Sequence, residues 1–532
     1  MLRPYLNLPL SETNLVSPMV KDYLAKKESL KPFVGKWQDM ADLQHLIENR
    51  NFEESKRRIL YAHLVKQYSN AGINLRSDSK VFANIENLKN EQTFTITTGH
   101  QLSLFGGTLF MSYKILTAIK LAAELQKNNP QKNVVPVLWL ASEDHDFEEI
   151  QSTYLFGKKY VWEKDTQNKA CGTIDLEGIS KLIEEMKVVL GNTETAQNWI
   201  GQIENAYKAT YDLAAATLRF YHALFEDFGL LILDPNDKTL KDLFVKEIEA
   251  DLLDQQNFKV QNPSDKLLGD TYKLQINARP YNFFYIDELL GRVMVKKEGD
   301  FWVCGSNQWN ENDLRKVIKL SPEKFSPNVN LRPLYQETIL PNLAYIGGPA
   351  EISYWMQLKP IFDVNGESYP VLAVRFMNVL LGNGFAEKVE KAQIKLTDLL
   401  LEEKTLAELY IHQSQGFDYK QKVEAVLTEL QLFVDSCKNT APNLSKAFLE
   451  QKLKMKDFFK DNSGDFNKAI TKSEQAQIEK IFKLRAKLFP IGVFQERMET
   501  MLQQEVMAER NLRLEIFEIL EPLSGHLYFT DI

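Results

Sequence analysis

The clearest pattern of hydrophobic and polar positions lies at residues 134–150, VVPVLWLASEDHDFEEI. The first eight residues are apolar and rich in β-branched types, which is typical of a strand that helices cover on both faces. A turn with three carboxylates and an imidazole follows, formed by Glu143, Asp144, His145 and Asp146. Open α/β sheets bind ligands outside the carboxyl ends of their strands, so the pattern predicts a functional site at this acidic turn.

A strand, a turn and a helix precede that run. The strand FTITT ends at Thr98, and the glycine-bearing turn GHQLSLFGGTLF leads into the helix. The apolar face of this helix comprises Met111, Ile115, Ala118, Ile119 and Ala122. Strand, turn, helix and strand within about 45 residues predict a βαβ unit with parallel strands. Both turns then lie at one sheet edge, and one crevice is expected to hold the acidic turn together with His100, Gln101, Gly106 and Gly107.

Strand and helix patterns alternate along most of the chain, which favours an α/β fold with a parallel-sheet core. GLLILDP predicts a further buried strand ending in Asp234, and LAYIGG and PVLAVRF predict two more. The sequence predicts six segments. A lead-in of helices and loops over 1–90 precedes the first half of the core over 91–175, and a helical insertion over 176–228 separates it from the second half, which contains a β-rich insertion, over 229–384. A helical coiled-coil region over 385–502 follows, and a tail over 503–532 packs on the core.

In the predicted helical region the apolar residues recur at alternating spacings of three and four. One heptad seam comprises Val389, Ala392, Leu396, Leu399 and Leu406, and a second comprises Val423, Val426, Leu430, Phe433 and Cys437. Helix breaks are predicted at GFD (416–418), NTAPN (439–443) and DNSGDFN (461–467), which indicates an antiparallel hairpin or small bundle. The narrow seams predict packing against the core or a second subunit.

Composition narrows the possible partners. Of the 532 residues, 64 are Lys or Arg and 72 are Asp or Glu, giving a net charge of −8 without a basic stripe for nucleic acid. The first residues lack the apolar core of a signal peptide, and no apolar stretch approaches the roughly 20 residues of a membrane span. Three distant cysteines predict neither a disulfide framework nor a cysteine-based zinc site. We therefore expect a soluble cytoplasmic protein with no nucleic-acid or membrane partner.

Four strings together resemble the signatures of the bacillithiol biosynthesis cysteine-adding enzymes, the BshC family, and the likeness covers essentially the whole chain. They are TTGHQLSLFGGTLFMSYKILTAIKLA, VVPVLWLASEDHDFEEI, LRPLYQETILPNLAYIGGPAEISYW and LFPIGVFQERMETML. The first motif of the family usually has Gln where this chain has His100, which favours Gln101 over His100 as the functional residue.

The resemblance implies a Rossmann-like core, related to class I aminoacyl-tRNA synthetase and nucleotidyltransferase folds, followed by a helical coiled-coil region that mediates homodimers. It implies a cysteine ligase that joins L-cysteine to the amine of glucosaminyl-malate by an amide bond, producing bacillithiol. A carboxylate does not condense with an amine in water unaided, so activation of cysteine by ATP, as an adenylate or acyl phosphate, is expected.

Within that chemistry the first motif is a candidate phosphate cradle. Thr98, Gly99, His100 and Gln101, if they stand at the start of a helix, supply backbone N–H donors and a positive dipole end. The alternative is an ordinary strand-to-helix turn without a ligand.

The acidic turn has three interpretations. His145 can take a proton from the substrate ammonium or hold a phosphate as a cation. Glu143, Asp144 and Asp146 can instead hold Mg²⁺ that bridges ATP phosphates. In the third interpretation the acids only cap a helix start. We favour His145 and Asp146 as functional residues, because adjacent side chains point in different directions and all four cannot face one ligand.

The third string adds candidate binding residues: Arg332, Gln336, Glu337, Gly347, Gly348 and Glu351. An arginine can clamp the malate carboxylates bidentately, and the glycine pair lets the backbone approach the sugar or nucleotide closely. The structural alternatives are a surface arginine, a glycine turn that ends a strand, and a glutamate that caps its helix.

Two other functions stay open at this point. One is a non-catalytic nucleotide-binding or scaffold protein that supports thiol biosynthesis, and the other is transfer of cysteine to a different amino-sugar acceptor.

Overall fold

A parallel sheet forms the centre of the structure, a computed structural model that describes residues 2–415 and 419–532. The strands in chain order are β1 (Arg3–Pro9), β2 (Thr93–His100), β3 (Asn133–Leu140), β4 (Ser152–Leu155), β5 (Lys158–Val161), β6 (Leu231–Leu233), β7 (Phe283–Asp287), β8 (Gly291–Met294), β9 (Lys296–Glu298), β10 (Phe301–Cys304), β11 (Asn307–Trp309), β12 (Phe325–Pro327), β13 (Asn342–Gly347), β14 (Val371–Val374), β15 (Met377–Leu381) and β16 (His526–Asp531).

The helices in chain order are α1 (Pro18–Leu24), α2 (Lys31–Val34), α3 (Met40–Asn49), α4 (Glu54–Asn70), α5 (Lys80–Asn87), α6 (Leu109–Asn128), α7 (Phe147–Ile150), α8 (Ile179–Leu190), α9 (Glu194–Ala206), α10 (Leu213–Phe225), α11 (Lys238–Lys241), α12 (Val245–Asp254), α13 (Gln256–Gly269), α14 (Glu311–Leu320), α15 (Arg332–Ile339), α16 (Pro349–Asn365), α17 (Phe385–Lys391), α18 (Glu403–Gln415), α19 (Tyr419–Cys437), α20 (Pro442–Ser473), α21 (Gln475–Leu488), α22 (Met501–Ala508) and α23 (Leu512–Ile519).

The central sheet has five parallel strands in the order β14, β13, β2, β3, β6. The predicted βαβ unit is confirmed, because β2 and β3 pair in parallel from Thr93 opposite Asn133 to His100 opposite Leu140. The strand that ends before Asp234 and the two later strands are also confirmed, as β6, β13 and β14. The carboxyl ends of these strands meet at one edge of the sheet, where ligands bind in folds of this class.

Strand β2 alternates threonine with apolar side chains, and both of its faces are buried. The hydroxyls of Thr95 and Thr97 donate to Oδ1 of Asn342 at 3.2 and 2.9 Å, and that of Thr98 donates to the carbonyl of Ile346 at 2.8 Å. Because these three buried hydroxyls have acceptors on β13, threonine is tolerated inside this sheet.

Helix α6 packs on β2 and β3, and its predicted apolar face is buried throughout. Ala118 and Ala122 join a core cluster with Phe94 and Ile96 of β2 and with leucines of α3. Each fully buried leucine or isoleucine of such a cluster contributes about 1.5–3 kcal/mol, so the cluster fixes α6 firmly against the sheet. The same helix carries Lys114 to the carboxyl edge of β2.

The structure divides into two units, the chain up to Leu380 with Gln495–Ile532, and Leu381–Phe494. In the first unit, α8, α9 and α10 form the predicted helical insertion, and the β-rich insertion contains β7 to β11. The prediction of helices and loops alone over residues 1–90 is wrong, because β1 pairs antiparallel with β16. No local sequence pattern indicates that a strand at the start of the chain pairs with a strand at its opposite end.

The second unit is helical, and α19 and α20 form an antiparallel hairpin in it. The hydroxyl of Tyr419 donates to the carbonyl of Phe459 at 2.8 Å, and that of Ser445 donates to the carbonyl of Val434 at 2.9 Å. The break at 439–443 is confirmed, since α19 ends at Cys437 and α20 begins at Pro442.

Other expectations for the helical region are corrected. The break predicted at 461–467 is wrong: α20 continues through it, since one glycine costs a helix only about 1 kcal/mol and no proline interrupts the segment. The first seam is not one helix, because α17 ends at Lys391 and α18 begins at Glu403. The break at 416–418 lies outside the described residues. The unit itself spans Leu381–Phe494 rather than 385–502.

Within residues 2–415 and 419–532, no helix combines the length and the hydropathy that crossing a membrane requires.

Candidate functional site

Two cavities adjoin at the carboxyl edge of the central sheet. The arginine cavity has a volume of about 370 Å³, and its lining includes His100, Phe110, Arg332, Tyr354, Arg375 and Arg497. The acidic cavity has a volume of about 640 Å³, and its lining includes Asp144, His145, Asp146, Glu148, Glu149 and residues 164–168. Gln101 and Glu149 line both cavities, so these two residues form a shared wall.

A buried lysine orders one side of the arginine cavity. Lys114 donates to the carbonyl of Gly99 and, at 3.0 and 2.8 Å, to both carboxylate oxygens of Glu351. The hydroxyl of Tyr345 and the N–H of Gly348 donate to the same carboxylate at 2.9 and 2.7 Å. Burial alone would raise the pKa of Glu351, but the Lys114 charge and these hydrogen bonds lower it to about 2. Glu351 is therefore an ionised group that caps α16 and already accepts four hydrogen bonds from three donor groups.

Two arginines of this cavity keep N–H groups that no atom of the described residues accepts. Arg332 donates from Nη1 to Oε1 of Gln336 at 3.0 Å, whereas its buried Nη2 has no hydrogen-bond partner in the described part of the chain. Arg375 donates both Nη groups to Glu496, and its buried Nε has no partner within residues 2–415 and 419–532. Arg497 lines the same cavity and is exposed to solvent. Buried N–H donors without acceptors favour an anionic ligand, which would satisfy them.

His100 is a neutral wall of the arginine cavity. Its ring lies edge-on to Phe110, with centroids 5.1 Å apart. Burial, and then the nearby charge of Lys114, lower the pKa of His100 to about 3. The imidazole is therefore uncharged near neutral pH and cannot hold a phosphate as a cation.

Glu143 lies apart from the rest of the acidic turn. Lys241 donates to its carboxylate and, at 2.8 Å, to the carbonyl of Phe325, and the lysine is completely buried. Burial raises the pKa of Glu143 while the lysine opposes that shift. Glu143 is thus engaged in a buried ion pair and lines neither cavity.

Asp144 and His145 are held by an arginine from the β-rich insertion. Nη1 of Arg292 donates to Oδ1 of Asp144 at 3.1 Å and lies 3.0 Å from Nδ1 of His145. Gln101 donates to Oδ2 of Asp144 at 2.9 Å. Burial would raise the pKa of Asp144, but the Gln101 hydrogen bond and the Arg292 charge lower it, so the carboxylate is ionised.

Asp146 caps the short helix α7 by accepting the N–H of Glu149 at 3.3 Å, as one interpretation of the acidic turn expected. The three carboxylates proposed for Mg²⁺ are engaged separately, by Lys241, by Arg292 and by this cap. Among the residues that the structure describes, no group of three or more His, Cys, Asp or Glu side chains could hold a metal ion. These side chains do not fit the predicted magnesium site.

The predicted phosphate cradle is not at a helix N-terminus. Thr98, Gly99 and His100 belong to β2, and α6 begins only at Leu109, whose N–H donates to the carbonyl of Glu499 at 2.7 Å. The intervening segment contains a short 3₁₀ turn at Leu104–Gly106, and the backbone departs from helical geometry there because Phe105 and the two glycines after it take positive φ angles.

Gly106 and Gly107, at φ of 92° and 64°, therefore shape that turn, and neither lines the arginine cavity or the acidic cavity. A Cβ atom added at Gly106 would lie 3.2 Å from the Phe220 ring, and one at Gly107 would lie 3.0 Å from Cβ of Ser103.

The remaining predicted residues stand behind the arginine cavity. Gln336 accepts from Arg332 and donates to Oε1 of Glu337 at 2.8 Å, and Asn342 donates to the same oxygen at 2.8 Å. Burial raises the pKa of Glu337 to about 7. The carbonyl of Gly347 accepts the N–H of Arg375 at 2.9 Å. These groups orient the two arginines, while Gly348 lines the cavity itself.

Sequence reasoning missed Lys114, Arg292, Arg375 and Arg497. Arg375 follows β14, so its position at the carboxyl end of a strand was a usable signal. Arg497 lies in the fourth string, LFPIGVFQERMETML, to which no role was given. Lys114 sits on an apolar helix face, and Arg292 comes from an antiparallel hairpin distant in sequence, so neither had a local signal.

Comparisons with known proteins agree with this architecture. The family model for the N-terminal Rossmann-like domain of the bacillithiol biosynthesis protein BshC matches residues 4–376. A Flavobacterium psychrophilum protein named "Putative cysteine ligase BshC" is 35% identical over 515 residues, covering 96% of each chain. A Cytophaga hutchinsonii protein of the same name is 33% identical over 525 residues, covering 97% of each. The resemblance drawn from the four strings and the Rossmann-like core are both confirmed.

Proposed function

Because the chain belongs to the BshC family of bacillithiol biosynthesis, we propose that it is a cysteine ligase that joins L-cysteine to the amine of glucosaminyl-malate by an amide bond. The observation that carries the proposal is the pair of adjoining cavities with opposite charge. The two substrates differ in the same way, because the malate group is an anion and cysteine brings an ammonium group.

The malate carboxylates bind in the arginine cavity. The support for this is that one N–H group on Arg332 and one on Arg375 lack an acceptor among the residues that the structure describes, together with the exposed guanidinium of Arg497. A guanidinium donates to a carboxylate through two parallel hydrogen bonds, which gives both strength and orientation. The same donors suit phosphate oxygens, so they also fit the ATP that we expect to activate cysteine.

Cysteine binds with its ammonium in the acidic cavity. Asp146, Glu148 and Glu149 line that cavity, and each is exposed. ATP converts the cysteine carboxylate to an adenylate or acyl phosphate, which supplies the leaving group that amide formation requires. We assign no step to Mg²⁺, because the carboxylates of the acidic turn do not assemble a site for it.

The bond forms at the shared wall of Gln101 and Glu149. The amine nitrogen of glucosaminyl-malate attacks the carbonyl carbon of activated cysteine, the C–N bond forms, and the bond from that carbon to the phosphate oxygen breaks. The phosphate leaves with the electron pair, and the nitrogen loses a proton. Glu149 accepts this proton: its carboxylate lines both cavities and has no side-chain partner among the residues the structure covers.

The protein acts as a homodimer through its helical region. Apolar side chains on α19 and α20 that are more than half exposed support this: Leu432, Phe433, Leu444, Leu453 and Phe458. Exposed apolar patches of this kind mark protein interfaces. Light scattering at micromolar concentration should give the mass of two chains, and the mass of one chain would contradict the proposal.

The ligase assignment is tested by incubating purified protein with cysteine, glucosaminyl-malate and ATP and measuring bacillithiol by mass spectrometry. We expect product that depends on the nucleotide. A protein that is folded by circular dichroism and gives no product with any nucleoside triphosphate would instead be a scaffold. Product only with a different amino sugar would change the acceptor but keep the reaction.

A further inference from the structure

Arg292 is a rigidly held arginine that contacts Asp144 and His145 of the acidic cavity. Its Nε donates to Oγ of Ser326 and its Nη2 to the carbonyl of Pro327, both at 3.0 Å. The backbone N–H and carbonyl of Arg292 bond to Asn168 at 3.0 and 3.1 Å, and the guanidinium lies 4.0 Å from the centre of the Phe284 ring. These contacts leave Nη1 directed at Asp144 and His145.

The chemistry of arginine decides which nitrogen of His145 carries the proton. A guanidinium has only N–H donors and keeps its charge in proteins. The Nδ1 of His145, 3.0 Å from Nη1 of Arg292, must therefore accept, which requires a lone pair on Nδ1. In a neutral imidazole the proton is then on Nε2, for which the described part of the chain offers no hydrogen-bond partner.

The other groups around His145 agree with this tautomer. Oδ1 of Asp144 is 3.5 Å from Nδ1, too far for a good hydrogen bond, and already accepts from Arg292 and from the His145 backbone N–H at 2.8 Å. Oδ2 of Asp144 accepts from Gln101. The aromatic ring of Phe284 lies 5.6 Å away, and burial raises the pKa of the Cys171 thiol to about 12, so that thiol is uncharged.

We propose that Arg292 is a positioning residue that holds His145 as a neutral donor, with its Nε2–H available to the acidic cavity. The catalytic part of this proposal rests on the proposed ligase function. In it, His145 donates a hydrogen bond to a phosphoryl or carbonyl oxygen of activated cysteine and does not remove the proton of the amine. This role differs from the two predicted from the sequence, in which His145 is a base or a phosphate-binding cation. A fixed donor aimed at an oxygen that gains charge in the transition state contributes about 10²–10³ in rate.

The tautomer is measured directly by nitrogen-15 NMR of protein labelled at histidine, with the His145 signals assigned by their loss in His145→Gln. Near pH 7.5 we expect a protonated Nε2 and an unprotonated Nδ1. Arg292→Lys should remove this preference, and Arg315→Lys, on the exposed face of α14, should leave it unchanged. Should Arg292→Lys fail to fold, Ser326→Ala, which removes only the Nε acceptor, should weaken the preference.

A wild-type spectrum with Nδ1 protonated, or with both nitrogens protonated, would overturn the proposal. So would an unchanged spectrum in folded Arg292→Lys. Because this readout needs no substrate, it is independent of whether the ligase proposal holds.

Activity provides the second test. Glutamine keeps an N–H donor, so His145→Gln should retain at least ten times more product formation than His145→Leu. Equal losses in the two variants would contradict a donor role, since a base is lost in both.

Discussion

The arginine cavity and the acidic cavity share a wall but are assembled in different ways. Most of the acidic cavity comes from one stretch, residues 144–168, whereas the arginine cavity combines Arg332, Arg375 and Arg497 from three distant parts of the chain. Glu143, Asp144 and Asp146 accept hydrogen bonds from protein groups, whereas Arg332 and Arg375 each keep an N–H without an acceptor in the part of the chain that the structure describes. The density of charged residues in the sequence therefore indicates where the site lies. The arginine N–H groups without acceptors indicate which part of the site binds an anionic ligand.

The largest effect is expected at the shared wall. Glu149→Gln should lower kcat by about 10²–10⁴, because general bases contribute in this range. Glu148→Gln removes the same charge from the same helix, and because Glu148 lines only the acidic cavity this variant should raise KM for cysteine and leave kcat nearly unchanged. Steady-state bacillithiol formation checks both variants, and equal losses would show that the two cavities do not meet at the reacting atoms.

Loss of the ion pair behind the arginine cavity should destabilise the protein. Arg375 and Glu496 are both almost completely buried, and removal of one member of such a pair costs about 3–5 kcal/mol. Glu496→Gln should therefore lower the urea midpoint of unfolding. Glu54→Gln breaks the exposed pair with Arg58 and should leave the urea midpoint unchanged. A comparable fall of the midpoint in Glu54→Gln would contradict the expectation that the buried pair stabilises the protein more than the exposed pair does.

Arg332→Gln should raise KM for glucosaminyl-malate by about 10- to 100-fold and change KM for cysteine little. The reason is that hydrogen bonds to charged groups contribute about 1.5–3 kcal/mol each. Arg315→Gln is the control, because Arg315 is a surface residue on α14. Initial rates with each substrate varied in turn measure the two KM values separately. A rise in KM for cysteine alone would place cysteine, and not the malate group, in the arginine cavity.

Glu337, behind the arginine cavity, should make stability depend on pH. Burial raises its pKa to about 7 from an ordinary 4.5, so the folded protein holds a proton that the unfolded chain has lost. Stability should fall by about 3 kcal/mol as the pH rises from about 4.5 to 7 and then level off, since one pKa unit corresponds to about 1.4 kcal/mol. Glu337→Gln should lack this slope in urea unfolding at several pH values, and a slope unchanged by the substitution would assign it to other groups.

The smallest effect is expected at His100. The imidazole is neutral and packs on Phe110, so His100→Gln should change kcat/KM by no more than about threefold. A loss of 100-fold or more in product formation would give His100 a role in the reaction.

Much of the fold was predictable because its strands and helices follow from local patterns of hydrophobic and polar residues. The buried run at 134–141 and FTITT predicted adjacent parallel strands, and the apolar face from Met111 to Ala122 predicted α6. Pairing between distant segments was not predictable, as β1 and β16 illustrate, since nothing near Arg3 identifies a partner at residues 526–531. The helix through Gly464 shows that a polar, glycine-bearing segment is only a weak helix breaker.

The candidate site was predictable only in part for the same reason. Gln101, His145, Arg332 and Gly348 do line the two cavities. Glu143 does not, because Lys241, on a helix far along the chain, takes its carboxylate. Partners supplied by tertiary structure decide whether a charged side chain is free, and sequence spacing does not contain that information.

The most direct test of the two-cavity account is an experimental structure with glucosaminyl-malate bound. We expect malate oxygens about 3 Å from Nη2 of Arg332 and Nε of Arg375, with the substrate amine at the wall formed by Gln101 and Glu149. A substrate bound elsewhere, with both arginine N–H groups still lacking an acceptor, would contradict the account.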